Sequence, residues 1–411
     1  MRVAMVCGAY QPGKCGVSDY TARLVHHLRQ VGVEVTVVGD AHTPPEGTAD
    51  RSREARWNLR GAVGVAGVVR SLQPDLVHVQ FAPSAYGYRG AVGLLPLLLG
   101  STRLVTTVHE YGWWAWRPDW FPEGLARRLW QLGEGRAWWD RETLLLAPRS
   151  HAVVATNDAH RRAIIARFPT GRLQVFTVPI GPNVDVHPVD RDKARRSVRD
   201  SIGAPATAPL LAFFGFVHPV KGVEYLLEAT ALLRTQRPDL HALVIGGFES
   251  LALRGDEASR YRRRLEASIR TLGLQGAVHL TGFQPEAEVS RLLQAADVAV
   301  FPFNQGVTLK SGSLLAALAH GLPTVATAPD PPEPALVDGR HVLLVPRRDA
   351  QALARAVERA LTDPPLAARL SAHARALAAD HRWERIASAH LVLYRDLLRL
   401  DGRSRERRGV L

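Results

Sequence analysis

Short β-rich runs alternate with helical apolar spacing along most of this chain, in two successive series. In the first, residues 3–7, 34–38, 76–79, 104–108, 152–155 and 174–178 read as strands, with a helix predicted over 20–31. In the second, residues 210–214, 242–245, 278–280, 298–301, 324–327 and 342–345 read as strands. Helical spacing recurs there over 225–234, 261–272, 286–296 and 350–361. Such a pattern predicts mostly parallel, doubly wound α/β sheets. A chain of 411 residues exceeds the usual single-core size, so each series is expected to be one domain. The pattern breaks near Pro182, and 184–205 is polar and charged, with DVHPVDRDKARR at its centre. The predicted organisation is a domain over 1–183, a linker over 184–205 and a second domain over 206–375. A helix over 376–400 is expected to pack back toward the first domain, ahead of a charged, unstructured tail at 401–411. A cleft between two such halves is the default ligand site.

Composition excludes several classes. The two cysteines, Cys7 and Cys15, give neither a disulfide framework nor zinc spacing and fit a reducing cytoplasm. The first apolar run is too short for a signal segment and reads as a buried strand. Residues 92–99 are apolar but interrupted by Gly93 and Pro96 and stop at Gly100, so they do not span a bilayer. The net charge of +13 favours anionic partners: sugar nucleotides, lipid headgroups or nucleic acid. Much of the excess is arginine scattered on helical patterns, which is also what a solvated surface looks like. No nucleic-acid-binding module is present.

Residues 306–328, GVTLKSGSLLAALAHGLPTVATA, place Lys310, Ser311, Gly312 and Ser313 at the first turn of an apolar helix. Backbone N–H groups and the positive end of the helix dipole converge there, which suits a phosphate. Gly312 admits close approach to the backbone, and Lys310 adds a mobile charge. An ordinary helix start with a solvated lysine reads the same way.

Several segments in order carry a resemblance: FFGFVHPVKGVEYLLEA, HALVIGGF, VHLTGFQPEAEV, AADVAVFPF, AALAHGLPTVAT and VDGRHVLLVPRRDAQALARAV, preceded by GVSDYTARLVHHL, PDLVHVQF and LVTTVHEYGW. Together they resemble the family 4 glycosyltransferases, retaining enzymes of the GT-B fold with two Rossmann-like domains. The resemblance covers nearly the whole chain. It implies hexosyl transfer from a nucleotide sugar, UDP- or GDP-linked, to a glycan, lipid-linked or small-molecule hydroxyl. No metal or other cofactor is implied. It places Lys221 and His109 at the reaction, and the helix-start reading adds Lys310. Gly16, Gly215, Gly222, Thr308, Leu309, Ser311, Gly312, Ser313 and Glu333 fall on the donor side. Asp19, Glu110 and Trp113 fall on the acceptor side.

The match departs from the family pattern in two places. Phe216 stands where a phosphate-binding arginine is expected, and Lys310 is the candidate replacement. Thr308 and Ala316 stand where the family has two glutamates, so a ribose diol loses a charged acceptor worth about 1.5–3 kcal/mol. Glu333 is the candidate substitute. His109 follows a strand at its C-terminal end, where an imidazole can hydrogen-bond sugar hydroxyls. Gly13, Gly16 and Asp19 line the first strand-to-helix loop; Ser18 or Asp19 capping the following helix is the plainer alternative.

Seven of the nine tryptophans lie between Trp113 and Trp139, interleaved with Arg117, Arg127, Arg128, Arg136 and Arg141. That composition suits peripheral contact with an anionic membrane at its inner face, an acceptor cleft, or a local aromatic core. Three rival functions remain. A nicotinamide oxidoreductase would use Asp40 for ribose, but the glycine spacing after the first strand is wrong. A sugar-nucleotide epimerase needs paired acid and base residues that these motifs lack. A catalytically silent binding subunit draws support from the two missing glutamates. The Asp190–Asp192 pair is linker charge rather than a metal site.

Overall fold

The computed structural model describes residues 1–10, 15–40, 57–250 and 253–408. The chain forms two compact units, Met1–Ile180 with Trp383–Leu411, and Gly181–Arg382. Each is built on one six-stranded sheet. The first unit contains β1 (Arg2–Ala9), β2 (Glu34–Asp40), β3 (Leu76–Phe81), β4 (Arg103–Val108), β5 (Ala152–Ala155) and β6 (Val175–Thr177). The second contains β7 (Leu210–Phe214), β8 (His241–Ile245), β9 (Val278–Gly282), β10 (Val298–Phe301), β11 (Thr324–Thr327) and β12 (Leu343–Val345). Every strand pair is parallel. Parallel strands bury both faces, and β3, β5, β7, β8, β10 and β11 are buried at every residue. No helix among the described residues is long and apolar enough to cross a membrane.

Strand order locates the functional edge of each sheet. The orders are β2-β1-β3-β4-β5-β6 and β12-β11-β10-β7-β8-β9. The winding direction reverses between β1 and β3, and again between β7 and β10. Ligands of doubly wound sheets bind beyond the strand C-termini at such reversals.

In the first unit, one sheet face is covered by the helices Gly16–Gln30 and Trp383–Arg408. Leu24 and Leu28 of the former and Trp383, Ile386 and Leu397 of the latter pack on Val3, Met5, Leu76 and Val105. In the second unit the helix Gly312–Ala319 is buried at every residue from Ser313 to Leu318. A helix that is apolar all round belongs inside a core.

Three expectations need correction. Residues 184–205 are not a free linker. They lie in the second unit and contain the helix Arg191–Ser201, capped by Asp190 accepting from the Lys193 amide at 3.0 Å. Its charged face hides two apolar anchors, Ala194 and Val198, and the fully buried Arg199. The Arg199 guanidinium donates to the Ala208 and Ala295 carbonyls and pairs with Asp297 at 2.8 Å. Secondly, the C-terminal helix begins at Trp383, where the helical spacing of 383–400 starts, and residues 376–379 close a separate helix, Pro364–Ala379. Thirdly, the helical backbone runs on to Arg408, through most of the expected tail.

Arg199→Ala is expected to destabilise the protein by about 3 kcal/mol, because carbonyls and one side of the Asp297 carboxylate lose a buried cation. Denaturant titration checks this; a loss under about 0.5 kcal/mol, the range of ordinary surface substitutions, would contradict it.

Candidate active site

In the second unit the C-terminal ends of β7, β10 and β11 are knitted together by close backbone approaches. Gly215 follows β7 with φ 140°, and a Cβ there would lie 3.2 Å from Ser313 Oγ. The β7 turn and the 312–319 helix start therefore touch. Residues Pro219–Lys221 form one tight turn, closed by Gly222 at φ 62°. A Cβ on Gly222 would strike the Pro302 carbonyl oxygen at 2.1 Å, so only glycine fits. Asn304, just past β10, holds the same turn. Its Nδ2 donates to the Pro219 carbonyl at 2.8 Å, and its amide to that of Val220 at 3.0 Å.

Lys221 is aimed by this turn onto the face of Phe303, with Nζ 3.7 Å from the ring centroid. Burial pushes its pKa down to about 8. The ring face favours the charged ammonium and opposes part of that shift. Phe303 and Asn304 were not singled out from the sequence. The only hint was the aromatic end of the AADVAVFPF motif, because their role depends on contact across strands.

At the start of the 312–319 helix, the Ser311 hydroxyl accepts from the Leu314 amide at 3.2 Å and lies 3.0 Å from Ser313 Oγ. The amides of Gly312 and Ser313 have no acceptor within the helix. Thr308, Leu309 and Lys310 form the preceding loop, and Lys310 is exposed. Gly312 has a plainer reason to be small than ligand approach. It packs against Asn183, whose amide donates to the Gly312 carbonyl at 3.2 Å. Ala316 is fully buried in the core, and Phe216 is half-buried. Glu333 is half-buried beyond β11, where its carbonyl accepts from the Leu336 amide. Asp190 and Asp192 belong to the 191–201 helix start.

In the first unit, His109 directly follows β4. Its amide donates to the Phe81 carbonyl at 2.8 Å, and its ring meets Tyr20 edge-on at 4.7 Å. Glu110 accepts from the Ser84 hydroxyl at 3.1 Å. Gly16 opens the helix Gly16–Gln30, and Asp19 lies in its first turn. Neither Ser18 nor Asp19 caps that helix: its N-cap is Cys15, with no side-chain cap bond. Gly13 lies outside the described residues, as does the side chain of Asp40.

The tryptophan-rich segment divides in two. Trp116 packs on Gly90 and Trp139 on Gly133, as a local core would have them. Trp113 and Trp120 are 60% and 80% exposed, and Trp138 is exposed as well. Arg167 anchors the base of the segment, pairing with Asp140 at 2.9 Å and Glu142 at 2.6 Å. Tyr111 donates to Asp140, and the Gly112 amide donates to Glu142, both at 2.9 Å. Trp113 thus projects from a fixed backbone.

Residues 15–186 match the profile of Glycosyltransferase Family 4, and residues 194–377 that of Glycosyl transferases group 1. The D-inositol 3-phosphate glycosyltransferase of Kineococcus radiotolerans is 30% identical over 411 residues, covering 92% of this chain and 90% of the relative. The enzyme of that name from Corynebacterium urealyticum is 27% identical over 398 residues, covering 95% and 88%. Among solved structures, sucrose-phosphate synthase from Thermosynechococcus elongatus superposes with a TM-score of 0.71 at 22% identity, covering 97% of this chain and 100% of that one. Anabaena HepE in complex with UDP and glucose gives 0.69 at 18% identity, covering 96% and 100%. Two Rossmann-like α/β units with parallel six-stranded sheets, matched along nearly their whole length, make this chain a member of the family 4, group 1 glycosyltransferases and an enzyme of the GT-B fold.

Proposed function

We propose that this glycosyltransferase takes a hexosyl group from a UDP- or GDP-linked sugar and passes it to an acceptor hydroxyl with retention of anomeric configuration. The observation that supports the reading is that two turns meet beside the β7/β10 reversal: the Pro219–Gly222 turn that seats Lys221 on Phe303, and the 312–319 helix start, whose Ser313 lies against Gly215 after β7. Breaking the bond from sugar to diphosphate leaves growing negative charge on the leaving phosphate. Amides of Gly312 and Ser313, the Ser311 hydroxyl and the Lys221 ammonium stabilise that charge without reorganising, and the exposed Lys310 adds a mobile one. Gly215 and Gly222 let the turns beneath the cradle close up against Ser313 and Pro302. Thr308 and Leu309 line the donor sugar side. Thr308 and Glu333 supply the polar contacts that the absent carboxylates would have made. On the first unit, His109 acts at the reacting sugar, while Asp19, Glu110 and Trp113 meet the acceptor. The HepE structures hold UDP and UDP-glucose, and the relatives carry the name D-inositol 3-phosphate glycosyltransferase. Both support a nucleotide sugar and a hydroxyl-bearing acceptor here. The test is NMR of the product formed from UDP- and GDP-hexoses with panels of polyol and lipid-linked acceptors. A product retaining the donor's anomeric configuration supports the reading; an inverted product contradicts it.

The exposed tryptophans support peripheral attachment to an anionic membrane. On the helix Glu123–Gly135, Leu125, Leu129 and Leu132 share one exposed stripe by their four- and three-residue spacing. Arg128 and Arg136 border that stripe, and among the described residues neither has a carboxylate partner. The Arg136 guanidinium lies 5.2 Å from the Trp138 ring centroid. Indoles beside arginines match the headgroup region, with anionic lipid neutralising the charge. A second copy would set arginine against arginine. Replacing Trp120 and Trp138 together by serine is expected to weaken binding to phosphatidylglycerol-containing vesicles by about tenfold or more. Flotation measures this; equal binding by the variant, or equal wild-type binding to neutral vesicles, would contradict it.

A further inference from the structure

The sheet face beneath the helices Gly16–Gln30 and Trp383–Arg408 is apolar at Val3, Met5, Leu76, Val105 and Val154. Three neighbouring positions on it are polar. His78 and Gln80 are two residues apart on β3 and share that face, and Thr107 stands opposite Gln80 on β4. All three are fully buried. Such groups are tolerated in a core only when they are paired.

They pair in a single chain that includes His109. The His109 Nε2–H donates to Gln80 Oε1 at 2.9 Å. Gln80 Nε2 donates toward Met5 Sδ at 3.1 Å and lies 3.3 Å from His78 Nε2. His78 Nε2 is 2.7 Å from Thr107 Oγ1, and His78 Nδ1 hydrogen-bonds the Tyr394 hydroxyl. Tyr394 is fully buried on the C-terminal helix.

The direction of this chain turns on the Gln80 amide, whose oxygen lies on the His109 side. A side-chain amide accepts only through oxygen and donates only through nitrogen. With the Gln80 oxygen on His109, the Gln80 nitrogen faces His78 Nε2, which must then carry a lone pair. Burial, followed by His390 and His109 nearby, holds the His78 pKa well below the ordinary imidazole range, so this ring is neutral. Its one proton therefore sits on Nδ1 and is donated to the Tyr394 oxygen, while the Thr107 hydroxyl donates to Nε2. Turning the amide over would demand the opposite tautomer of both histidines.

We propose that Gln80 is a positioning residue for His109, holding its imidazole with the proton on Nε2, and that His78 and Tyr394 fix the direction of the Gln80 amide. The C-terminal helix is thereby linked to His109 through hydrogen bonds alone. The kinetic part of this proposal rests on the reading of His109 as a group acting at the reacting sugar; the tautomer part does not.

The test combines long-range proton–nitrogen NMR of 15N-histidine-labelled full-length protein with kinetics. Wild-type His109 is expected to show the Nε2–H pattern. Gln80→Leu, close in size but unable to accept, should lose that single pattern. Its kcat should fall roughly tenfold or more, with KM for the nucleotide sugar nearly unchanged. Gln80→Glu keeps an accepting oxygen and should retain the Nε2–H pattern. Tyr394→Phe should change the His78 pattern and lower kcat by a smaller factor. A Gln80→Leu protein with lowered Tm but wild-type His109 pattern and kcat would overturn the proposal. Wild-type kcat in His109→Ala would instead overturn the reading of His109, with the NMR pattern still deciding the role of Gln80.

Discussion

Replacing Lys221 by alanine is expected to lower turnover of the nucleotide sugar by roughly 100-fold or more, the usual loss when one preorganised charge-stabilising donor is removed. The size follows from how firmly the group is held. Gly222 and Asn304 fix the turn, and Phe303 fixes the ammonium. On the proposed reading Phe216 stands where a second cation is expected, so the exposed Lys310 is what remains to compensate. The pH dependence has a definite sign. With the Lys221 pKa held down to about 8, affinity for a nucleoside diphosphate should fall as pH rises through 8, because the neutral amine no longer attracts phosphate. In the empty protein the unfolded chain holds this proton more tightly between about pH 8 and the reference lysine value of 10.5. Stability contributed by this group therefore rises with pH across that window. Kinetics of Lys221→Ala and wild type at several pH values measure the first effect, and denaturant titration across about pH 8 to 10.5 measures the second. Unchanged kcat/KM would remove Lys221 from the phosphate cradle.

His109→Ala is expected to reduce kcat by about 100-fold, the lower range for a positioned imidazole, while nucleotide affinity stays near wild type. The ring belongs to the first unit, and the proposed diphosphate cradle to the second, so the two functions should separate in the kinetics. His109 is also packed against Tyr20, and some loss of thermal stability will accompany the substitution. A large fall in Tm with wild-type kcat would mark the residue as purely structural.

The inner strands were legible in the sequence because burial on both faces leaves continuous apolar runs. The edge strands β6 and β12 also fell inside their expected segments, although no residue of β6 is buried. Helices were read less completely. Leu59–Ser71, LRGAVGVAGVVRS, is rich in glycine and valine, and local propensity argues against a helix there. Packing of Val65, Ala66 and Val69 against the sheet overrides it. The 191–201 helix was hidden by its charge, since only Ala194 and Val198 are apolar anchors and the third buried residue is itself an arginine. In the candidate site, what was readable was local: Lys221–Gly222, and the Ser311–Ser313 helix start. Asn183 behind Gly312, Phe303 beneath Lys221 and Gln80 beside His109 come from distant parts of the sequence. Only the folded sheet brings them together. The arginines and tryptophans of 113–139 were visible as composition, but which rings are buried depended on the glycines at 90 and 133.

The most direct measurement is thermal-shift titration of wild type and Lys221→Ala with UDP, GDP, ADP, TDP and their hexose conjugates. A ligand at a hundred times its dissociation constant stabilises its protein by about 2.7 kcal/mol, a readily visible shift. A selective rise with one nucleotide class in wild type, much reduced in Lys221→Ala, is the expected result. The absence of any shift in wild type, or an equal shift in both proteins, would contradict a nucleoside-diphosphate site built on Lys221 and the 312–319 helix start.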